Sequence, residues 1–89
     1  MYWVYMLWSK DFDQWYVGYS DNLKKRLEEH NKGQSFATKP YIPWELVYCE
    51  GYKSHLDALD RERKLKNHGK GMQMLKIRLK RSVGLLAKR

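Results

Sequence analysis

The chain has 89 residues, 43% of them hydrophobic and 15% aromatic, a composition that suits one globular domain and excludes a disordered chain. Its net charge is +8, and eleven of its eighteen Lys and Arg residues lie beyond residue 59 against two acidic ones, so the C-terminal third should attract polyanions unless that charge only solvates a helix. No run approaches the ~20 apolar residues of a membrane span and no secretory leader pattern opens the chain, so a soluble cytoplasmic protein is expected.

Tyr2 to Trp8 is an unbroken apolar and aromatic run of strand length. A strand apolar on both faces belongs at the centre of a sheet. The polar loop Ser9 to Asp13 then leads into a second strand, Trp15 to Tyr19, which pairs with the first as a hairpin. Asp11 and Asp13 form a D-x-D pair with no further ligands at calcium-loop spacing, and read as turn residues. Gly18 leaves room for a close approach of another group.

Ser20 or Asp21 can cap a helix through about Lys32, with Leu23, Leu27 and His30 on one face, Arg26 on the same side, and Gly33 as the stop. Pro40 and Pro43 mark a loop from Gly33 to Pro43. Trp44 to Glu50 is a third strand. Cys49 is the single cysteine, which excludes an internal disulfide, and its neighbours Val47 and Tyr48 predict a buried strand residue. Ser54-His55-Leu56-Asp57 approximates a capping box that starts a second helix, reaching about Asn67 before Gly69 and Gly71 break it. Met72 to Arg81 is a third helix. The sum is an α+β domain over residues 1–82, a three-stranded antiparallel sheet with its first strand central and flanked by three helices, followed by a basic tail, 83–89.

Several polar residues sit where this fold can bring them together. Tyr5 and Tyr16 lie on neighbouring strands, and Arg26 and His30 are four apart on one helix. Glu62 falls on the stripe Ala58, Glu62, Leu65, where an inward carboxylate needs a partner or a metal. Each has a plain alternative: strand aromatics, a surface arginine, a satisfied helix-end histidine, and pairing of Glu62 with Arg61, Arg63 or Lys66. Lys24 and Lys25 near a helix start oppose the helix dipole, which an approaching phosphate would relieve; pairing with Glu28 and Glu29 at four-residue spacing would serve equally. Paired cysteines, a Gly-rich phosphate loop and a dinucleotide fingerprint are all lacking.

Trp3-Val4-Tyr5 and Tyr16-Val17-Gly18 resemble the two short motifs that name the GIY-YIG nucleases. The resemblance continues through Tyr19, Ser20, Leu23, Arg26, Leu27 and His30-Asn31, then Pro43 to Tyr48, and Ala58, Arg61-Glu62 and Leu65-Lys66. It is nearest to the small stand-alone bacterial members. Trp3 stands where the motif has glycine, and Asn67 is a poor counterpart for an asparagine found late in many active relatives.

What the resemblance implies is a metal-dependent endonuclease that hydrolyses phosphodiester bonds. Tyr5 would receive or relay the proton of the attacking water, and Tyr16 would orient that water and the phosphate. Arg26 would bind the scissile phosphate, and His30 would orient or share the relay. Glu62 would hold one Mg2+ or Mn2+ ion whose remaining ligands are waters and phosphate oxygens. Tyr19 and Gly18 would be supporting positions. Lys24, Lys25, Lys66 and Lys70 would touch the nucleic-acid backbone, DNA ahead of RNA, at structured or damaged sites and in DNA repair. A binding module without efficient catalysis is the alternative, and a third reading makes the chain dependent on a homo-oligomer or protein partner.

Overall fold

The computed structural model describes residues 1–67 and 69–88. Tyr2–Ser9 forms β1, Gln14–Ser20 β2, Leu23–Asn31 α1, Glu45–Tyr52 β3, His55–Lys66 α2, Lys70–Arg78 α3 and Lys80–Ala87 α4, with one turn of 3-10 helix at Lys39–Tyr41. The sheet order is β2-β1-β3, antiparallel throughout. This is the α+β architecture with a central first strand that the run Tyr2 to Trp8 predicts. Among the described residues, no helix is long and apolar enough to cross a membrane.

β1 is apolar along its length because both of its faces are covered. Val4 and Met6 pack with Val17, Ala58, Leu65, Met72, Leu75 and Leu79 under α2, α3 and α4. Tyr5 and Leu7 pack with Trp44 on the opposite face, where Leu23 and Leu27 of α1 and Tyr41 and Ile42 of the preceding loop close the layer. Asn31, at the end of α1, holds that loop: its side-chain amide donates to the Trp44 carbonyl at 3.0 Å and accepts from the Trp44 N–H at 2.7 Å. Trp44 Nε1 in turn donates to the Thr38 carbonyl at 2.8 Å.

Asp13 takes a positive φ of 48° in the β1–β2 turn and accepts a 2.9 Å hydrogen bond from Trp8 Nε1. It is a turn residue, as its spacing predicts. α1 differs from expectation at its start. Its cap is Asn22, whose side chain accepts from the Lys25 N–H at 3.1 Å, while the Ser20 hydroxyl braces the Asn22 backbone. Ser54 does cap α2, accepting from the Asp57 N–H at 3.3 Å.

Four further expectations need correction. Cys49 is exposed, not buried. β3 carries a bulge opposite Met6 and Leu7, so Tyr48 pairs with Met6 and Leu46 with Leu7. The extra residue turns Tyr48 toward α2 and Cys49 to the other face. Gly71 lies inside α3, which begins after Gly69, an extended cap. The expected third helix is two, because the chain departs from regular helix at Leu79, whose side chain is buried in the core. The stretch set apart as a tail is helical through Ala87, and Arg89 lies outside the described residues.

Candidate functional site

Tyr5 is paired with Gly18 across the β1–β2 ladder, and its ring occupies the space a side chain there would fill. A Cβ on residue 18 would lie 2.3 Å from both Tyr5 Cζ and Tyr5 Oη. The glycine therefore seats the ring and lets the hydroxyl pass over β2. Trp3 repeats the device on the other side, where a Cβ on Gly51 would come within 2.8 Å of its ring. The bulky residue at the position of the first motif's glycine is thus matched by a glycine on the next strand.

The Tyr5 hydroxyl meets His30 Nε2 at 2.8 Å, and His30 Nδ1 meets Thr38 Oγ1 at 2.7 Å. Thr38 Oγ1 can donate to the Ser35 carbonyl at 3.4 Å. That last bond orders the proton chain: with its own hydrogen directed at a carbonyl, Thr38 accepts from His30 Nδ1–H. Nε2 is then the bare nitrogen, and it accepts from the Tyr5 hydroxyl. His30 and Thr38 are both buried. Burial, with help from the neighbouring Arg26 charge, lowers the His30 pKa to about 4, so the ring is neutral at neutral pH. Burial and then Tyr16 push Tyr5 up to about 12 against the pull of Arg26.

Around this chain stand the other residues of the reading. Tyr16 packs edge-on against His30, with ring centres 5.0 Å apart, and lies 6.4 Å from the Tyr5 ring. Arg26 is near enough to Tyr5 for its charge to lower the Tyr5 pKa, and it lies 3.5 Å from Glu29. Glu62 comes from the other side of the sheet on α2, close enough for its charge to raise the Tyr5 pKa. Lys66 connects the two sides: its ammonium is 3.5 Å from Glu62 and 5.6 Å from the centre of the Tyr16 ring.

Glu62 owes its direction to its neighbour. Arg61 Nε and Nη2 donate to the two Glu50 oxygens at 2.9 and 3.0 Å, and Tyr48 and Tyr52 add their hydroxyls at 2.8 and 2.6 Å. This four-bond clamp sets the rotation of α2 on the sheet. Arg63 goes to Asp60 on the outer surface, so of the three cations weighed above as partners for Glu62, Lys66 is the one it meets.

Four of the sequence-derived residues, Tyr5, Tyr16, Arg26 and His30, converge on one face of the sheet, with Gly18 beneath and Glu62 and Lys66 at the adjoining edge. Tyr19 does not join them. It points to the α2 face, stacked 6.2 Å from Tyr2 and 5.3 Å from His55. Lys24 and Lys25 are exposed on the first turn of α1, and Lys70 is exposed at the first turn of α3. Glu29 meets Arg26 instead of Lys25. Thr38 escaped the sequence reading, since nothing in an aperiodic loop distinguishes one threonine from a solvated one.

A family model described as the GIY-YIG catalytic domain matches residues 1–74. The chain belongs to the GIY-YIG family. Among its relatives, the UPF0213 protein YazA of Bacillus subtilis is 33% identical over 79 residues, 88% of this chain and 79% of that protein. A UPF0213 protein of Staphylococcus aureus strain Mu3 is 41% identical over 54 residues, 60% of this chain and 66% of that protein. The solution NMR structure of the UPF0213 protein of Bacillus halodurans superposes with a TM-score of 0.54 at 28% identity, covering 90% of this chain and 86% of that one. The expected resemblance to small stand-alone bacterial GIY-YIG proteins is borne out.

GIY-YIG nucleases generally use divalent ions. Among the described residues, no three His, Cys, Asp or Glu side chains converge. A cation would have Glu62 as its protein carboxylate and take its remaining ligands from water and substrate. That arrangement suits Mg2+, which retains waters and accepts hard oxygens, and does not suit zinc.

Proposed function

We propose that the chain is a divalent-metal-dependent endonuclease that hydrolyses phosphodiester bonds in nucleic acid, DNA ahead of RNA, at structured or damaged sites in the cytoplasm. The observation that carries this reading is the ordered chain Tyr5–His30–Thr38 beside Arg26. Hydrolysis needs water to lose a proton while charge builds on phosphate, and this chain offers a path for the proton next to a cation for the charge.

In this reading the Tyr5 oxygen takes a proton from water as its own proton passes to His30 Nε2. His30 is held for that step by Thr38. The cost of charging a buried imidazole falls once Arg26, one cause of its low pKa, is neutralised by substrate phosphate. Tyr16 walls the site and orients the attacking water. Held by Glu62, a bound ion would add positive charge at the phosphate. Binding the ion and substrate requires Glu62 and Lys66 to separate, with Lys66 free to take a phosphate oxygen.

The Glu62–Lys66 pair also favours a second reading, a nucleic-acid-binding module whose carboxylate is neutralised from within. The two part in one assay. Labelled single-stranded, duplex, flapped and branched DNA and RNA are incubated with Mg2+ or Mn2+ and wild type, Glu62→Ala or Tyr5→Phe. The nuclease cuts, and each substitution lowers the rate by about a hundredfold or more. Wild type that binds the panel with salt-sensitive affinity, indifferent to Mg2+ and uncut, establishes the module instead.

A further inference from the structure

From the Lys66 and Tyr16 edge of the site, a groove continues along β2 past Trp15 and Lys76, bordered by Val17, Leu65 and Met72. A second groove begins at the same Trp15 and Lys76 and carries on to Ile77, Lys80 and Val83, where α3 gives way to α4. The two form one path, with an aromatic ring at its midpoint and ammonium groups along its length. Lys76 Nζ stands 5.3 Å from the centre of the Trp15 ring. Among the described residues, neither Lys76 nor Lys80 has an acidic partner in an ion pair. Asp13, the carboxylate at the path's border, is engaged by Trp8 Nε1.

We infer that this path holds an unpaired nucleic-acid strand leaving the candidate site, with Lys66, Lys76 and Lys80 on successive phosphates and one base stacked on Trp15. The inference rests on the nuclease or binding reading above and gives it a substrate shape. Charge argues for a polyanion, since the basic excess of the C-terminal third is uncompensated here. The ring argues for unpaired bases, because a base inside a duplex offers its edge and keeps its faces stacked. Lys76 can leave the indole for a phosphate as a base takes its place, so binding exchanges one contact for two.

The test is equilibrium binding, which does not depend on cutting. Fluorescein-labelled oligo-dT and a blunt duplex are titrated with full-length Glu62→Ala protein across a salt series, and then with the same protein carrying Lys76→Gln, Lys80→Gln, Trp15→Phe or Trp15→Ala. Lys53→Gln, at the exposed turn before α2, serves as the control. Each path lysine should lower the salt slope for oligo-dT by about 0.7, the counterion share of one single-strand phosphate. Trp15→Ala should weaken oligo-dT by about tenfold with the duplex little changed, and Trp15→Phe should restore most of it. Because Trp15 also packs on the core, its variants count only where circular dichroism shows a native fold; the exposed lysines decide the matter regardless. Oligo-dT bound equally by all variants, or duplex weakened as much as oligo-dT, overturns the path while leaving the nuclease reading intact. If no strand binds and wild type cuts nothing, both fall together.

Discussion

Tyr5 and Gly18 act as one unit, because the ring fills the space that any side chain on residue 18 would need. Gly18→Ala places a methyl 2.3 Å from the ring carbon that bears the hydroxyl. The ring must tilt, which costs about 1–3 kcal/mol of overpacking and moves the oxygen off His30. Thermal melting should show the loss, and cleavage should fall further than stability alone accounts for. A neutral His30 carries a pH consequence as well. Since its pKa drops from 6.5 to about 4, kcat/KM should show no break near 6.5 and lose the His30 contribution only toward pH 4. A pH–rate profile with a single-proton inflection near 6.5 would contradict the ordered chain. Motif spacing made Tyr5, Tyr16, Arg26 and His30 legible in advance. Thr38 was not, because its partner lies eight residues away across an aperiodic loop. Cys49 was misread because alternation along a strand carries no trace of a bulge before its partner strand is known.

At the scale of elements, the strands followed from apolar runs and α2 from its Ser54 cap, whereas Gly71 was taken for a helix breaker and α4 was not expected at all. Gly71 and Gly84 lie inside α3 and α4. Nothing lies within 4 Å of a Cβ built on Gly84, and the nearest neighbour at Gly71 is 3.7 Å away. A glycine inside a helix costs roughly 1 kcal/mol against alanine, so Gly84→Ala should raise stability by about 0.5–1 kcal/mol and Tm by several degrees. Calorimetry checks this directly. The same substitution at Gly18 should act in the opposite direction, which separates a glycine kept for space from one that is only tolerated. The division between α3 and α4 was not legible, since Leu79 is an ordinary helix former and only its burial against the sheet bends the chain there.

For the whole molecule, the clamp on Glu50 joins β3 to α2 and sets acid stability. Burial works against its charge, but the hydrogen bonds from Arg61, Tyr52 and Tyr48 prevail and hold its pKa at about 2 against an ordinary 4.5. The unfolded chain therefore takes up a proton at a higher pH than the folded one, and this contribution, fully present above pH 4.5, is lost as the pH falls toward 2. Glu50→Gln should cost about 2–3 kcal/mol at neutral pH and flatten the acid limb over that interval, as denaturant titrations at stepped pH would show. The sheet order was legible because a strand apolar on both faces has one place to go; the clamp was not, because it needs Arg61 of α2 to meet Glu50 of β3, eleven residues back, and nothing in the sequence pairs those two.

The sheet's pairing also dictates a sequence of events in time. β1 meets β2 across a short turn, but its first residue, Tyr2, must find Tyr52 on β3, fifty positions along the chain. Closing the shorter loop costs less entropy, so the hairpin carrying Tyr5, Tyr16 and Gly18 is the early product, and β3 with α2 arrives later. A nascent chain would thus possess its tyrosines before its carboxylate. In the proposed nuclease, competence to hydrolyse would wait for that last long-range contact to close, so a partly folded chain would not cut.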